Sequence, residues 1–194
     1  MREQFKQYII SLYHDIPQEV YEGFLSVFCL GFVLLLVFCG IKKGLRYSSG
    51  LLLVEYVFLL FCTTVFFRTV GEIRRYDFHP FWSYNAIQDG KENLMAENIM
   101  NVVVFIPVGL LLGIAFKQMT WWKTLLIGCS ISVAIEALQF FFMRGFTEVD
   151  DVMHNTVGCM IGWLMVKGVF LMKGAVKKQP TESIRGTGTL IRKK

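Results

Sequence analysis

The sequence predicts an all-α, polytopic membrane protein, a bundle of five transmembrane helices preceded by an N-terminal interfacial amphipathic helix. Three observations carry that expectation. The 194 residues are 54% hydrophobic, with a mean hydropathy of +0.49, too apolar for polar side chains to cover a soluble domain of this size. Residues 23–41, 98–116 and 152–166 carry no charge, and 47–67 and 124–143 carry one acid each; about 20 apolar residues cross a hydrocarbon core as a helix. Finally, the basic residues gather on alternate connections, as they do in multi-pass proteins.

Taken in order, residues 1–19 come first. Phe5, Tyr8, Ile9, Leu12 and Ile16 recur at helical steps and form one apolar stripe, which suits a helix lying in the membrane interface. A single membrane domain then fills 20–176, with helices expected at about 22–41, 50–70, 98–116, 122–143 and 152–173. The first span, "GFLSVFCLGFVLLLVFCGI", is apolar all round and belongs at a lipid-facing edge. It is expected to stay in the mature chain, because residues 1–19 lack the basic start of a signal peptide and Phe28 and Phe38 are too large for a cleavage site. In the second span Glu55 is expected to pair with Lys42, Lys43 or Arg46 near the basic face. The fifth run is short, and Lys167 extends it by snorkelling.

Residues 71–97 form the longest connection and contain "YDFHPFWSYN". Its aromatics suit interfacial anchoring, while His79-Pro80-Phe81 suits a re-entrant cover over a pocket. The tail, 177–194, is basic and poor in apolar groups, and is expected to be disordered against a membrane surface. Lys42, Lys43, Arg46, Lys117, Lys123, Lys173 and the tail share one face, which should be cytoplasmic. The N-terminus, the 71–97 loop and the 144–151 loop then face outward. The formal charge of +5 belongs to the inner face, so it points to membrane lipids and away from nucleic acid. All five cysteines lie in apolar runs without metal-ligand spacing, and packing is their expected role.

The last three helices share a pattern that the first two lack. Asn98 and Asn101 precede Phe105, Gly109 and Gly113; Gly128 and Ser132 precede Glu136 and Gln139; Asp151 and Asn155 precede Gly158 and Gly162. Each set keeps steps of three or four, hence one side of a helix. The small residues let backbones approach toward the inner side, and Pro107 removes a bond to the Val103 carbonyl and favours a bend. Splaying toward the outside follows. Glu136 lies eight residues before Arg144, ~12 Å along the axis, and Asn155 lies four after Asp151, ~6 Å. Those depths predict an outward-opening polar pocket, with Arg144, Glu148, Asp150, Asp151 and His79 at its mouth.

Within that pocket Glu136 and Asp151 are the candidates for any catalytic role, as general acid or base or as fixed acceptors. Asn98, Asn101, Gln139, Arg144, Asp150, Asn155 and His79 are the candidate binding residues. The alternative is that these groups only bond across helices, a contribution of about 0.6–2 kcal/mol each against a cost of about 2.5–3.5 kcal/mol for an acid near mid-helix. His154 stands four residues from Asp150 and three from Asp151, a spacing that permits a metal pair, but no metal or cofactor is expected. Ser132 has no histidine beside it, so acyl-enzyme chemistry is not indicated.

The order Asn98-x-x-Asn101, "FIPVG" (105–109), "IEALQ" (135–139), Arg144 and "DDVMHNTVGCMIG" (150–162) resembles the VanZ-like integral membrane proteins, with "HPF" (79–81) a weaker upstream match. By the resemblance, Asn101, Pro107, Glu136, Gln139, Arg144, Asp151, Asn155 and Gly158 fall on signature positions. It implies a protein of the bacterial envelope linked to reduced susceptibility to teicoplanin and related lipoglycopeptides. The expected partners are membrane lipids and a lipid-linked wall precursor or the lipoglycopeptide itself. Three functions stay open: a binder or modifier of such a molecule, an intramembrane hydrolase or transferase using Glu136 and Asp151, and a non-catalytic scaffold. No nucleotide motif or inverted repeat supports energised transport.

Overall fold

The computed structural model describes residues 18–91 and 93–177. The expected interfacial helix, save its last two residues, and the basic tail, save Lys177, lie outside them. The described chain runs α1 (Gln18–Phe61), a π-helical turn (Cys62–Phe66), β1 (Arg75–Asp77), α2 (Trp82–Gln88), α3 (Asn93–Ala115), α4 (Trp121–Phe142), β2 (Phe146–Glu148) and α5 (Val149–Lys177).

Gly40, at φ 70° and ψ 165°, breaks α1 into two arms. A left-handed φ is open to glycine at little cost. The chain doubles back there, since Gly31 lies against Leu51 and Gly44 against Leu35 and Leu36. Four helical segments are long and apolar enough to cross a membrane: Lys43–Phe66, Asn93–Ala115, Trp121–Phe142 and Val149–Met172. The expected first span differs, because its apolar helical stretch, Leu25–Val37, is shorter than these. Leu25, Leu30, Val33 and Val37 are exposed along it, as befits a lipid-facing edge.

The second span starts seven residues earlier than expected, at Lys43, since nothing after Gly40 interrupts the helix. Glu55 therefore lies ~18 Å beyond Lys43. Among the described side chains the anticipated ion pair is not formed with Lys43 or Arg46, and the Lys42 side chain lies outside them. Arg46 instead donates through Nε to the Ala115 carbonyl at 2.6 Å, and Glu55 Oε1 is buried without a hydrogen-bond partner among the described residues.

The core is centred on α3 and α5, the most closely packed pair. They run parallel: Gly158 faces the Val102 carbonyl, Gly162 the Ile106 carbonyl and Gly109 the Cys159 carbonyl, each so close that a Cβ would overlap backbone atoms. Gly128 of α4 meets the Cys159 side chain. Around these contacts Leu60, Val65, Phe105, Val108, Leu112 and Ile135 are buried, a dispersion-packed interior that a lipid solvent alone would not drive together. Tyr56 donates to the Val104 carbonyl at 2.8 Å, beside the ladder interrupted by Pro107.

Two departures from the all-helical expectation lie in the outer loops. β1 pairs in parallel with β2, Arg75 opposite Phe146 and Asp77 opposite Glu148, and α2 occupies the middle of the 71–97 connection. Each is too short to leave a periodic signal in sequence.

Candidate functional site

The end of the second span sets the position of the first cationic group. A helix terminus leaves carbonyls without intrahelical donors, and side chains from the end of α4 supply them here. Gln139 Nε2 donates to the Thr64 carbonyl at 3.1 Å, and Arg144 Nη1 donates to the carbonyls of Val65, at 2.9 Å, and Phe66. The next turn presents Arg68, whose guanidinium lies against Gly145 at the point where a Cβ would project. Gly145 has φ +107°, so both the backbone conformation and the close approach require glycine.

Asp150, 1% exposed, anchors the opposite loop. Its carboxylate accepts from the backbone N–H of Phe81 at 2.6 Å, from that of Ser83 at 3.0 Å and from the Ser83 hydroxyl at 2.6 Å. Asn98 donates to the same hydroxyl at 3.1 Å. The His79-Pro80-Phe81 turn is thereby held over the start of α5, and Trp82 follows it inward. Trp82 Nε1 donates to Glu148 Oε2 at 3.0 Å. His79 points away: its side chain is 91% exposed and pairs with Asp77 at 2.8 Å. The His79 backbone N–H, and then its ring, hold the Asp77 carboxyl below its usual range.

Between these anchors lies a cavity of about 660 Å³. Arg68, Arg74, Arg75 and Lys91 border it from the loops, while Glu97, Asn98 and Asn101 border it from α3. Glu148 and Asp151 close it from the α5 side, with Trp82 and Phe146 as aromatic walls. Asn101 Nδ2 donates to Asp151 Oδ1 at 2.6 Å. Arg74 and Arg75 stack over the Phe140 and Phe146 rings at 5.7 and 5.5 Å. Glu148 is buried, and burial first, then the neighbouring Asp151 carboxylate, pushes its carboxyl up to about 8.

The sequence-expected residues divide into two groups. Asn98, Asn101 and Asp151 line the cavity, with Glu148. Glu136, Gln139 and Asn155 lie deeper and bond to neighbouring elements: Glu136 Oε2 accepts from the Glu148 N–H at 3.0 Å, and Asn155 Nδ2 donates to Ser132 Oγ at 2.7 Å. Glu136 borders a second, apolar groove of about 330 Å³ with Val133, Phe140, Phe141 and Val152. The groups that sequence reasoning passed over are Arg68, Arg74, Arg75, Lys91, Glu97 and Trp82. Arg68 ends an apolar run and reads as a snorkelling residue; the loop cations have no period at all.

Among the described residues, no group of three or more His, Cys, Asp or Glu side chains has the arrangement to hold a metal ion. Asp150 is committed to the 81–83 backbone, and His154 Nε2 meets the Tyr84 hydroxyl at 2.8 Å. The cavity offers instead two chemistries: guanidinium and ammonium donors for an anion, and carboxyl groups able to accept from hydroxyls or amines or to exchange protons.

Comparison with known proteins gives a consistent picture. Protein VanZ of Enterococcus faecium is 41% identical over 66 residues, covering 34% of this chain and 41% of that protein. The similarity thus spans under half the length of that relative. No solved structure matches the chain. The VanZ/LLP1 family matches residues 28–172, which take in most of α1, the loop anchors and every residue lining the cavity. With well over half of its length so matched, the chain belongs to the VanZ/LLP1 family.

Proposed function

We propose that the protein works at the outer surface of a bacterial cytoplasmic membrane, where its polar cavity binds or alters a lipid-linked or wall-surface molecule. Susceptibility to teicoplanin and related lipoglycopeptides falls as a result. In this reading Leu25–Val37 and its flanks complete five spans, the N-terminus faces out and the C-terminus faces the cytoplasm. The observation that carries it is the 660 Å³ cavity of mixed charge, set at the opposite end of the bundle from Lys43, Lys117 and Lys123. Basic loops favour the cytoplasm, which supports reading the cavity as open to the side where such antibiotics meet wall precursors. Family membership supports the antibiotic connection.

The test expresses full-length protein in a teicoplanin-susceptible bacterium and compares Asp151→Asn and Glu97→Gln with the parent at matched membrane abundance. Both variants should lose most of the protection. Protection that persists in both would remove the cavity from the mechanism.

A second reading is catalytic, a hydrolase or transferase acting on an envelope lipid or wall precursor through Glu136 and Asp151. The observation that favours it is that Glu148 links the two, its backbone N–H donating to Glu136 Oε2 at 3.0 Å while its side chain lines the cavity with Asp151, and neighbouring carboxyls can divide acid and base roles. It predicts turnover, so lipid and precursor profiles that do not differ between cells with and without the protein would reject it.

A further inference from the structure

The polar cavity and the apolar groove are neighbours with a common wall. Glu148 borders both. Strand β2 divides them, with Phe146 on the cavity side and Thr147 on the groove side, as alternation along a strand requires. Arg74, from the cavity, stacks at 5.7 Å on Phe140, from the groove.

The groove opens sideways. Val133 and Phe141 on its border are 49% and 67% exposed, yet they belong to the membrane-crossing α4. Exposure there means contact with hydrocarbon. Phe78, Ala137, Phe140, Val149 and Val152 complete an apolar wall suited to an alkyl chain, and Glu136, Thr147 and Glu148 border the groove beside β2.

The cavity, by contrast, has donors to spare. Among the described residues the side chains of Arg68 and Lys91 make no hydrogen bond or salt bridge, and those of Arg74 and Arg75 stack on aromatic faces. Against these four cations stand Glu97 and Asp151, since a carboxyl at about 8 leaves Glu148 largely protonated at neutral pH. The excess is cationic. Planar guanidinium forks match phosphate oxygens two at a time.

Resting on the outward-facing ligand site proposed above, we infer that cavity and groove form one binding site for a phosphate-bearing lipid, its phosphate among Arg68, Arg74, Arg75 and Lys91 and its chain in the groove. Glu97 and Asp151 then face the rest of the headgroup, where they accept from hydroxyl or amine groups. A soluble phosphate ester would leave the groove empty, and a neutral lipid would leave the cations unmatched.

The test titrates the full-length protein in detergent with dioctanoyl phosphatidic acid, glycerol 3-phosphate and dioctanoylglycerol. Saturable binding of the phosphatidic acid is expected, at least about tenfold tighter than either fragment. Arg68→Gln should weaken the phosphatidic acid and glycerol 3-phosphate alike; Val133→Trp, which fills the groove from an exposed apolar position, should weaken only the phosphatidic acid. Arg75→Gln repeats the first measurement if Arg68→Gln does not give folded protein. Equal affinity for glycerol 3-phosphate would assign the site to a soluble phosphate and overturn the inference, as would equal affinity for dioctanoylglycerol. Parent-like binding by both variants would overturn it too. Teicoplanin susceptibility measured on the same variants separates the two ideas: lost lipid binding with full protection rejects the antibiotic role and leaves the lipid site standing.

Discussion

At Gly145 one absent methyl group shapes the cationic wall. A Cβ there would meet the Arg68 guanidinium, and φ +107° disfavours any L side chain. We predict that Gly145→Ala costs about 1–3 kcal/mol of stability and turns Arg68 out of the cavity; a melting curve checks the first and phosphatidic acid titration the second. Asp150 has the larger structural duty. Asp150→Ala strips acceptors from two backbone N–H groups and one hydroxyl, and should cost about 3 kcal/mol while exposing residues 78–91 to protease. Glu148 supplies a pH signature. Its carboxyl rises from 4.5 to about 8 on folding, so the folded state favours the protonated form. Its stabilising effect is full below pH 4.5 and is lost as pH climbs through 8. The melting temperature of Glu148→Gln should accordingly gain on the parent between pH 5 and 8.5, and a constant difference would count against the burial argument. Asn98, Asn101 and Asp151 were legible because helical spacing keeps a stripe together. Arg68, Arg74, Arg75 and Lys91 were not, because loops bring them together without any period.

The elements differ in how plainly they were written. Helices α3, α4 and α5 follow from charge-free runs and small-residue stripes, and their bounds, Asn93–Ala115, Trp121–Phe142 and Val149–Lys177, lie close to the expected ones. The hairpin at Gly40 was harder to read, since a glycine in an apolar run is equally at home inside a span. The three-residue parallel ladder was illegible: two strands this short carry no alternation, and their pairing depends on where Asp150 and Arg144 pin the loops. At this scale the glycine contacts give a sharp test. Gly158→Leu would drive a side chain into the Val102 carbonyl, and we predict a loss exceeding the roughly 1–3 kcal/mol of ordinary overpacking, seen as absence of the protein from the membrane. Gly168→Leu, where no neighbouring atom lies within 4 Å, should accumulate normally.

For the whole molecule the arrangement of charge remains the main guide. The prediction that belongs here is topological: a cysteine introduced at Asp89 should react with a membrane-impermeant maleimide in intact cells, whereas one introduced at Lys117 should react only after lysis. The reverse pattern would invert the molecule and close the outer face to the ligands proposed for it. Assembly order is fixed by the parallel pairing of α3 with α5. The carbonyl of Val102 finds its glycine only at residue 158, so during synthesis α3 enters the bilayer with a notched flank and must wait for two later segments before that flank is covered. The tightest seam in the protein is thus sewn last, and nascent chains halted before residue 162 should remain in the keeping of the insertion machinery.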